Sequence, residues 1–570
     1  LSIALLLLSL PQGFAVGSPD TLSTYTAPEV IVTERLATRA ITNGQHLKGK
    51  DLDKLSNNSI ADALRYFSGL QVKDYGGVGG LKTVNIRSMG THHLGIFYDG
   101  IELGNAQNGV IDLGQFSLDN VDEISLYNGQ KSQIFQPAAD FGNAGAVYIR
   151  TRRPLFTDKN FHLKLRLKGG SSDMIRFSAL WDQKISARRF SSLNVEALNS
   201  SGKYEFRYRR KRMDGTIAYD TTATRQNGDV WAVRAEGNLH GTINRGGWNV
   251  KLYTYQSQRG IPGAIVNNVW RRGERQHDSN NFLQATWQKS VTDHFDTQLR
   301  AKYAFYNTRY INRDTTIMQV DNRYRQHEAY FSTANAYEIK PWWTASLSYD
   351  FRWNKLDSDV QNFANPYRFT NMLAVATAFD FRWLKLQASL LTTWVNDFTR
   401  YSTETVQTAT QSARQSALSP AVFASIKPFR SGWMQIDLFA KRSFRMPTFN
   451  DLYYTDIGNA SLNPETANQY SLALTFATTS KTSPFAGRLK ASAYYNTIRD
   501  KIVAYPKGQQ FRWTMLNLGK VHIKGIEAQA DLAVKVAAFL FRLTAQYTYQ
   551  EAIAVTDPSQ SFYRPQIPYI

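Results

Sequence analysis

From Phe161 onward, apolar and polar residues alternate with a period of two: Phe161, Leu163, Leu165 and Leu167 stand against His162, Lys164 and Arg166. That period puts successive side chains on opposite faces of a β-strand. The alternation returns in Leu193-Val195-Ala197, in Leu299-Ala301-Tyr303-Phe305, and in Leu347-Tyr349-Phe351-Trp353, where Ser348, Asp350 and Arg352 face the other way. From Pro154 to the end the pattern predicts two-faced strands and polar connections with no helix, a run very large for a water-soluble sandwich. In a closed barrel each strand pairs its backbone with a neighbour, and a polar sequence can then cross hydrocarbon. Trp342-Trp343 and Trp353, near strand ends, suit the aromatic girdles of such a barrel.

Residues 28–153 read differently, as a mixed α/β domain that opens on the short apolar strand Val30-Ile31-Val32. Ser59 can cap a helix with Asp62 three residues on. Ile60, Ala63, Leu64 and Phe67 repeat at i, i+3, i+4 and i+7 before Gly69 ends it. Strands are predicted at Thr83–Arg87, Leu94–Tyr98, Glu123–Tyr127 and Ala146–Thr151. A barrel of this size leaves an aqueous channel unless something fills it. The fold class expected is therefore an all-β transmembrane barrel over 154–570 with an N-terminal α/β plug over 35–153 inside the lumen. Leu1–Leu10 is an apolar run too short to span, followed by Ala15 and Gly17. Residues 1–17 read as the remnant of a secretory signal peptide, the alternative being a buried N-terminal strand. Tyr563–Ile570 stops in mid-pattern, so C-terminal strands are expected to be missing, with roughly 16–18 strands here if the whole has about 22.

Composition narrows the chemistry. The chain has no cysteine, which removes disulfides, thiolate metal sites and cysteine nucleophiles. Its 67 Lys+Arg against 46 Asp+Glu give a net charge of +21. The basic residues alternate with apolar ones or sit in connections, and no nucleic-acid motif appears, so a lumen for anionic ligands or loops near lipopolysaccharide suits the charge better than nucleic acid. No paired acids, nucleophile with base, or phosphate loop stands in a persuasive setting, and no enzyme, cofactor or metal site is expected. His92-His93 could ligate a metal or haem iron, but neighbours on a strand point apart, and a solvated turn is the expectation.

Several segments carry a family resemblance. Ser59-Ile60-Ala61-Asp62-Ala63-Leu64-Arg65, Gly69-Leu70-Gln71-Val72, Asn85-Ile86-Arg87 and Tyr98-Asp99-Gly100 occur in the order and spacing of the plug of the TonB-dependent outer-membrane receptors. Val121–Leu126 and Gly145–Ile149 continue the match. Phe135–Asp140 departs from it, where the family shows a tyrosine- and glycine-rich turn. In the barrel, Arg259-Gly260-Ile261-Pro262-Gly263, Phe444–Tyr453, Leu462-Asn463-Pro464-Glu465, Asn517 and Gly525-Ile526-Glu527 resemble further family segments. The periplasmic segment 18–34 includes Glu29-Val30-Ile31-Val32-Thr33, which resembles the TonB box and otherwise reads as the first strand of the domain.

The resemblance implies a receptor of the bacterial outer membrane that binds a scarce ligand at the cell surface. A TonB-type energy-coupling protein of the inner membrane would pull the box, by β-augmentation, and move the plug. It also implies an ionic plug–barrel contact in which Arg87 meets Glu465, Glu527 or both; three independent solvated charges are the alternative. Cobalamin or a ferric siderophore is the expected ligand. A haem or other metal-chelate receptor, or a passive porin or adhesin barrel, is the alternative; the plug signature speaks against the latter.

Overall fold

The computed structural model describes residues 36–556 except 50, 53–54, 56–58, 157–158, 213, 264, 267–268, 271–272, 314–318, 403–406, 455–456, 479–484, 508–511 and 537–538. The signal-peptide remnant, the segment Glu29–Thr33 and the chain end Tyr563–Ile570 lie outside the described residues.

The N-terminal domain is built on β1 (Gln45–Lys48), β2 (Leu70–Asp74), β3 (Lys82–Ile86), β4 (Leu94–Tyr98), β5 (Ile101–Glu102), β6 (Val121–Asn128) and β7 (Gly145–Thr151). Five strands form one sheet in the order β1-β6-β7-β4-β5, with β4 and β7 parallel, while β2 and β3 pair separately. The helix α1 (Ile60–Leu64) carries the expected reciprocal cap: Ser59 accepts from the Asp62 amide, and Asp62 accepts from the Ser59 amide. Its Ile60, Ala61, Ala63 and Leu64 are buried in the same core as Val84, Ile96, Ile124 and Val147. Gly69 follows with φ +74°, the left-handed conformation that glycine adopts without cost. The sequence pattern locates the four strands it predicts among the described residues of this domain to within two residues and names none at β1, β2 or β5; the strand expected at Val30-Ile31-Val32 lies outside the described residues.

Among the described residues, seventeen strands between Phe161 and Ala554 form one antiparallel sheet in barrel order, within the expected range. The alternation read in the sequence is the wall's two faces. Leu347 is 50 % and Tyr349 36 % exposed on the outside, while Ser346, Ser348 and Asp350 are buried facing the plug. Connections are unequal. One rim has tight turns such as 187–188, 244–245 and 341–342, and the other has long loops such as 201–229 and 446–464. At the tight-turn rim Trp342 stacks with Trp343 and Phe381, the aromatic girdle expected there.

The divergent Phe135–Asp140 segment has its own structural role. Ala138–Phe141 is a 3₁₀ turn whose first amides, Ala138 and Ala139, donate to Asp350 of the barrel at 3.0 and 2.8 Å. A carboxylate there satisfies donors that a turn start leaves free. Asp140 is buried in this turn, accepts from the Tyr148 hydroxyl at 3.1 Å, and leaves Oδ1 without a partner. Burial pushes its carboxyl up to about 8.

Two outcomes follow. Val375, 53 % exposed in the middle of Tyr367–Asp380, faces outward; Val375→Arg is expected to destabilise folding into a bilayer by about 2–4 kcal/mol in a lipid-refolding titration. Because the raised Asp140 pKa favours the protonated acid in the folded protein, its stabilising share is full below pH ~4 and is lost as pH rises toward about 8. Asp140→Asn should flatten the stability–pH curve of the plug across that window.

Candidate functional site

Where the plug meets the long-loop rim, a cavity of about 450 Å³ opens between plug loops and four barrel strands. Its plug side is the 103–116 connection between β5 and β6, shaped by side chain–backbone bonds. Asn105 accepts from the amides of Gln107 and Asn108 at 3.1 and 3.2 Å, and Asp112 accepts from those of Lys82 and Gly114 at 3.1 and 3.0 Å. Such Asx turns fix a loop without regular structure. The barrel then fastens it. Gln326 accepts from the Gln107 amide at 3.0 Å, Tyr253 donates to the Gln115 carbonyl at 2.7 Å, and Asn280 donates to the Gln115 side chain at 2.7 Å.

The lining is aromatic and amide-rich. Phe116 stacks on Tyr253 at 5.3 Å, and Tyr253 on Phe282 at 4.7 Å. Arg259, from the Arg-Gly-Ile-Pro-Gly segment, reaches the Gly79 carbonyl and Asp112 at 3.1 Å and Asp278 at 3.3 Å. Among the described lining residues it is the one cation, and two carboxylates already hold it.

Of the sequence-predicted residues, the structure brings Arg87 and Glu527 together. The Arg87 Nε and Nη2 donate to the two Glu527 oxygens at 2.8 and 2.9 Å, both side chains nearly fully buried. Ser492 donates to the same carboxylate at 3.1 Å, and the guanidinium lies 4.1 Å from the Tyr494 ring centroid. Arg87 and Ser88 have φ +47° and +53°, an uncommon backbone for side chains of this size, at the turn that aims the arginine outward from β3. Gly69 packs so close to Glu527 that a Cβ there would lie 2.2 Å from the carboxylate oxygen.

Glu465 does not meet Arg87. Its carboxylate accepts from His93 at 2.6 Å, from the Ile502 amide at 3.1 Å, from Lys501 at 3.3 Å and from Arg445. It is still a plug–barrel contact, through a different plug residue. Nor is His93 a solvated turn residue: it is 3 % exposed, because the short 3₁₀ turn Thr91–His93 tucks under the barrel's Glu465. Burial holds both His92 and His93 below the ordinary imidazole range, against the pull of Glu465. A neutral His93 thus donates Nε2–H to a carboxylate already balanced by two cations. Arg445 also pairs with Asp451 at 2.8 Å, inside a capping box that Thr448 and Asp451 build for the Phe449–Tyr453 helix. Asn517 bonds the Asn463 amide and the Asp500 carbonyl, clamping two loops. The sequence signal for the cavity was weaker, since Gln115, Asn280 and Gln326 sit in no motif.

Similarity to known proteins fits this architecture. Residues 37–142 match the family model "TonB-dependent Receptor Plug Domain", and residues 352–569 match "TonB dependent receptor-like, beta-barrel". The vitamin B12 transporter BtuB of Vibrio vulnificus (strain YJ016) is 21 % identical over 491 residues, covering 84 % of this chain and 71 % of the relative. The BtuB of Photobacterium profundum is 22 % identical over 497 residues, covering 85 % and 72 %. Among solved structures, the copper transporter OprC aligns with TM-score 0.69 at 12 % identity over 90 % of this chain and 81 % of that one. The ferric yersiniabactin uptake receptor FyuA from Yersinia pestis aligns with TM-score 0.67 at 12 % identity over 93 % and 82 %. Plug signature, plugged barrel and family models agree: the chain belongs to the TonB-dependent receptors, a family of transporters and receptors and not of enzymes.

Proposed function

We propose that this receptor takes a neutral, amide-bearing corrinoid of the cobalamin type from the cell surface and delivers it to the periplasm. The observation that carries this reading is the cavity lining. Aromatic faces and side-chain amides suit an uncharged ligand studded with amides, whereas a carboxylate- or catecholate-bearing ferric complex calls for a cation free to pair with it, and Arg259, the one cation among the described lining residues, is taken. The BtuB relatives support the same class. A ferric siderophore is the second reading, favoured by fold neighbours such as the siderophore receptor PiuA from Acinetobacter baumannii, TM-score 0.66.

On this reading the long loops face the medium and the tight turns the periplasm, in the outer membrane, where the basic loops lie near lipopolysaccharide. Glu29–Thr33 serves as the coupling segment, adding a strand to a TonB-type partner through backbone hydrogen bonds. The Arg87–Glu527 and His93–Glu465 contacts hold the plug at one depth between pulls, because a buried guanidinium left without its carboxylate is costly.

Purified protein should bind cyanocobalamin in a calorimetric titration, and Gln115→Ala or Asn280→Ala should weaken binding several-fold. Binding of a ferric siderophore with none of cyanocobalamin would reverse the order of the two readings. In cells lacking the gene, Val30→Pro should leave surface binding intact and abolish uptake, since proline removes a donor from the added strand. For the ionic contact, Arg87→Met, Glu527→Met and the double variant should show a coupling of about 0.5–3 kcal/mol when plug protection from protease is followed across a urea series; purely additive effects would mean that the pair does not hold the plug.

A further inference from the structure

A second cavity, of about 500 Å³, lies toward the tight-turn rim, between the plug and the barrel wall. The plug lines it from β6, β7 and the segment holding Lys131 and Asp140, and the wall from inward residues such as Phe190, His240 and Arg300. Lys251 stands midway between Asn249, which lines this cavity, and Tyr253, which lines the upper one. Its pair with Asp99 at 2.6 Å therefore separates the two.

The cavities differ in charge. In the upper one the cation Arg259 is held by two carboxylates. In the lower one the carboxylates are accounted for and cations are left over. Asp99 is taken by Lys251 and also accepts from the Thr151 hydroxyl, while Glu123 meets Arg150 and His46, each at 2.7 Å. Asp140 is the carboxyl that burial pushes up to about 8, so at neutral pH it is an uncharged acid. Lys131, Arg153 and Arg300 then line the chamber with no carboxylate at ion-pair distance among the described residues.

Two of these cations are enclosed. The Lys131 ammonium sits over the rings of Tyr148 and Tyr127, at 5.4 and 5.9 Å, whose faces attract a cation without neutralising it. Burial holds it below the ordinary lysine range. Arg300 donates to the Gly100 carbonyl, a neutral acceptor, and its buried Nε has no partner. Charge in so enclosed a place is costly while nothing offsets it.

We infer that the lower chamber is a binding site for a small organic oxyanion, a carboxylate or phosphate on a flat body, gripped between Lys131 of the plug and Arg300 of the wall. The oxyanion supplies the missing charge, and both side chains carry donors that suit its oxygens. The flat body has ring faces to lie on. Phe190 stacks on His240 at 4.7 Å on the wall side, and Tyr127 meets Tyr148 edge-on at 5.8 Å on the plug side. Because each domain contributes one of the two cations, the bound anion ties plug to wall. The site takes the opposite charge class from the upper cavity and does not depend on which ligand is imported.

At neutral pH the purified protein should bind phenyl phosphate or benzoate in a calorimetric titration, and neutral benzamide several-fold more weakly; the tighter of the two anions identifies the oxyanion. Lys131→Met and Arg300→Met should each weaken that anion several-fold, Lys131→Arg should retain it, and Lys203→Met, on an exposed loop of the other rim, should change nothing. Asp140→Asn should leave the affinity as it is, because the carboxyl it removes is already neutral. The anion should also raise the urea midpoint of plug protection from protease in wild type and not in Arg300→Met. Binding of neither anion, benzamide binding as tightly as they do, full affinity in both Met variants, or a several-fold gain in Asp140→Asn would each overturn the site. The benzamide comparison needs no variant, so it judges the site even where a substitution unfolds the plug.

Discussion

A chain this polar can cross hydrocarbon only when its backbone N–H and C=O groups are paired within the protein. Everything else in the molecule follows from that requirement. Pairing strand to strand forces a sheet with two faces, and the outer face must be apolar, so the polar half of each alternation points inward. The wall's interior is then lined with Ser346, Ser348, Asp350, Glu196, Lys251 and Glu328, all buried. Charges so placed need partners. The wall supplies some, Arg234 to Glu196 and Lys302 to Glu328, and the plug others, Asp99 to Lys251; the plug's own loops are in turn shaped to the wall: Asp350 caps the Ala138 turn, and Arg259 holds Asp112.

The fold was legible because strand alternation and the α1 capping box are local signals, read from neighbours a few residues apart. Leu94–Tyr98 is recovered to the residue, and the Ser59–Asp62 box is present as expected. The site was legible only in part. Arg87 and Glu527 are 440 positions apart, and their pairing was inferred from family resemblance, not from spacing. Glu465 was expected to meet the same arginine, alone or beside Glu527, because the family's barrel-wall carboxylates pair with plug arginines; its partner from the plug, His93, is fixed by the 3₁₀ turn Thr91–His93, which no periodicity announces. The row formed by Lys251, Gln284 and Lys302, buried and opposite one another on three neighbouring strands, was illegible for a plainer reason. It exists only in the register between strands, and register is set by turn lengths and pairing, not by any one strand's composition.

The distribution of contact types around the plug bears on how it can move. Apolar packing between plug and wall is real: Tyr253, Phe282 and Ala304 share a core with Leu64, Ile96 and Val147, and the Ile134–Phe141 segment packs on Ala374, Ala376 and Leu391. Such packing is non-directional and costs more the more area is exposed, so it resists displacement of the whole domain. The ionic contacts behave differently. A buried pair adds little net stability over an apolar replacement, yet it fits at one depth and one rotation only, and breaking it strands a charge. Arg87 on Glu527 and His93 on Glu465 therefore index the plug against the wall without gluing it there. On the side facing Gly246–Asn312 both kinds of contact meet: Tyr98 packs against Phe116 and Phe282 and its hydroxyl donates to Glu236, while Lys251 pairs with Asp99. A pull transmitted through the plug must therefore expose apolar area and strand charges together on this side, so the ion pairs set where the plug sits and the packing sets how hard it is to move.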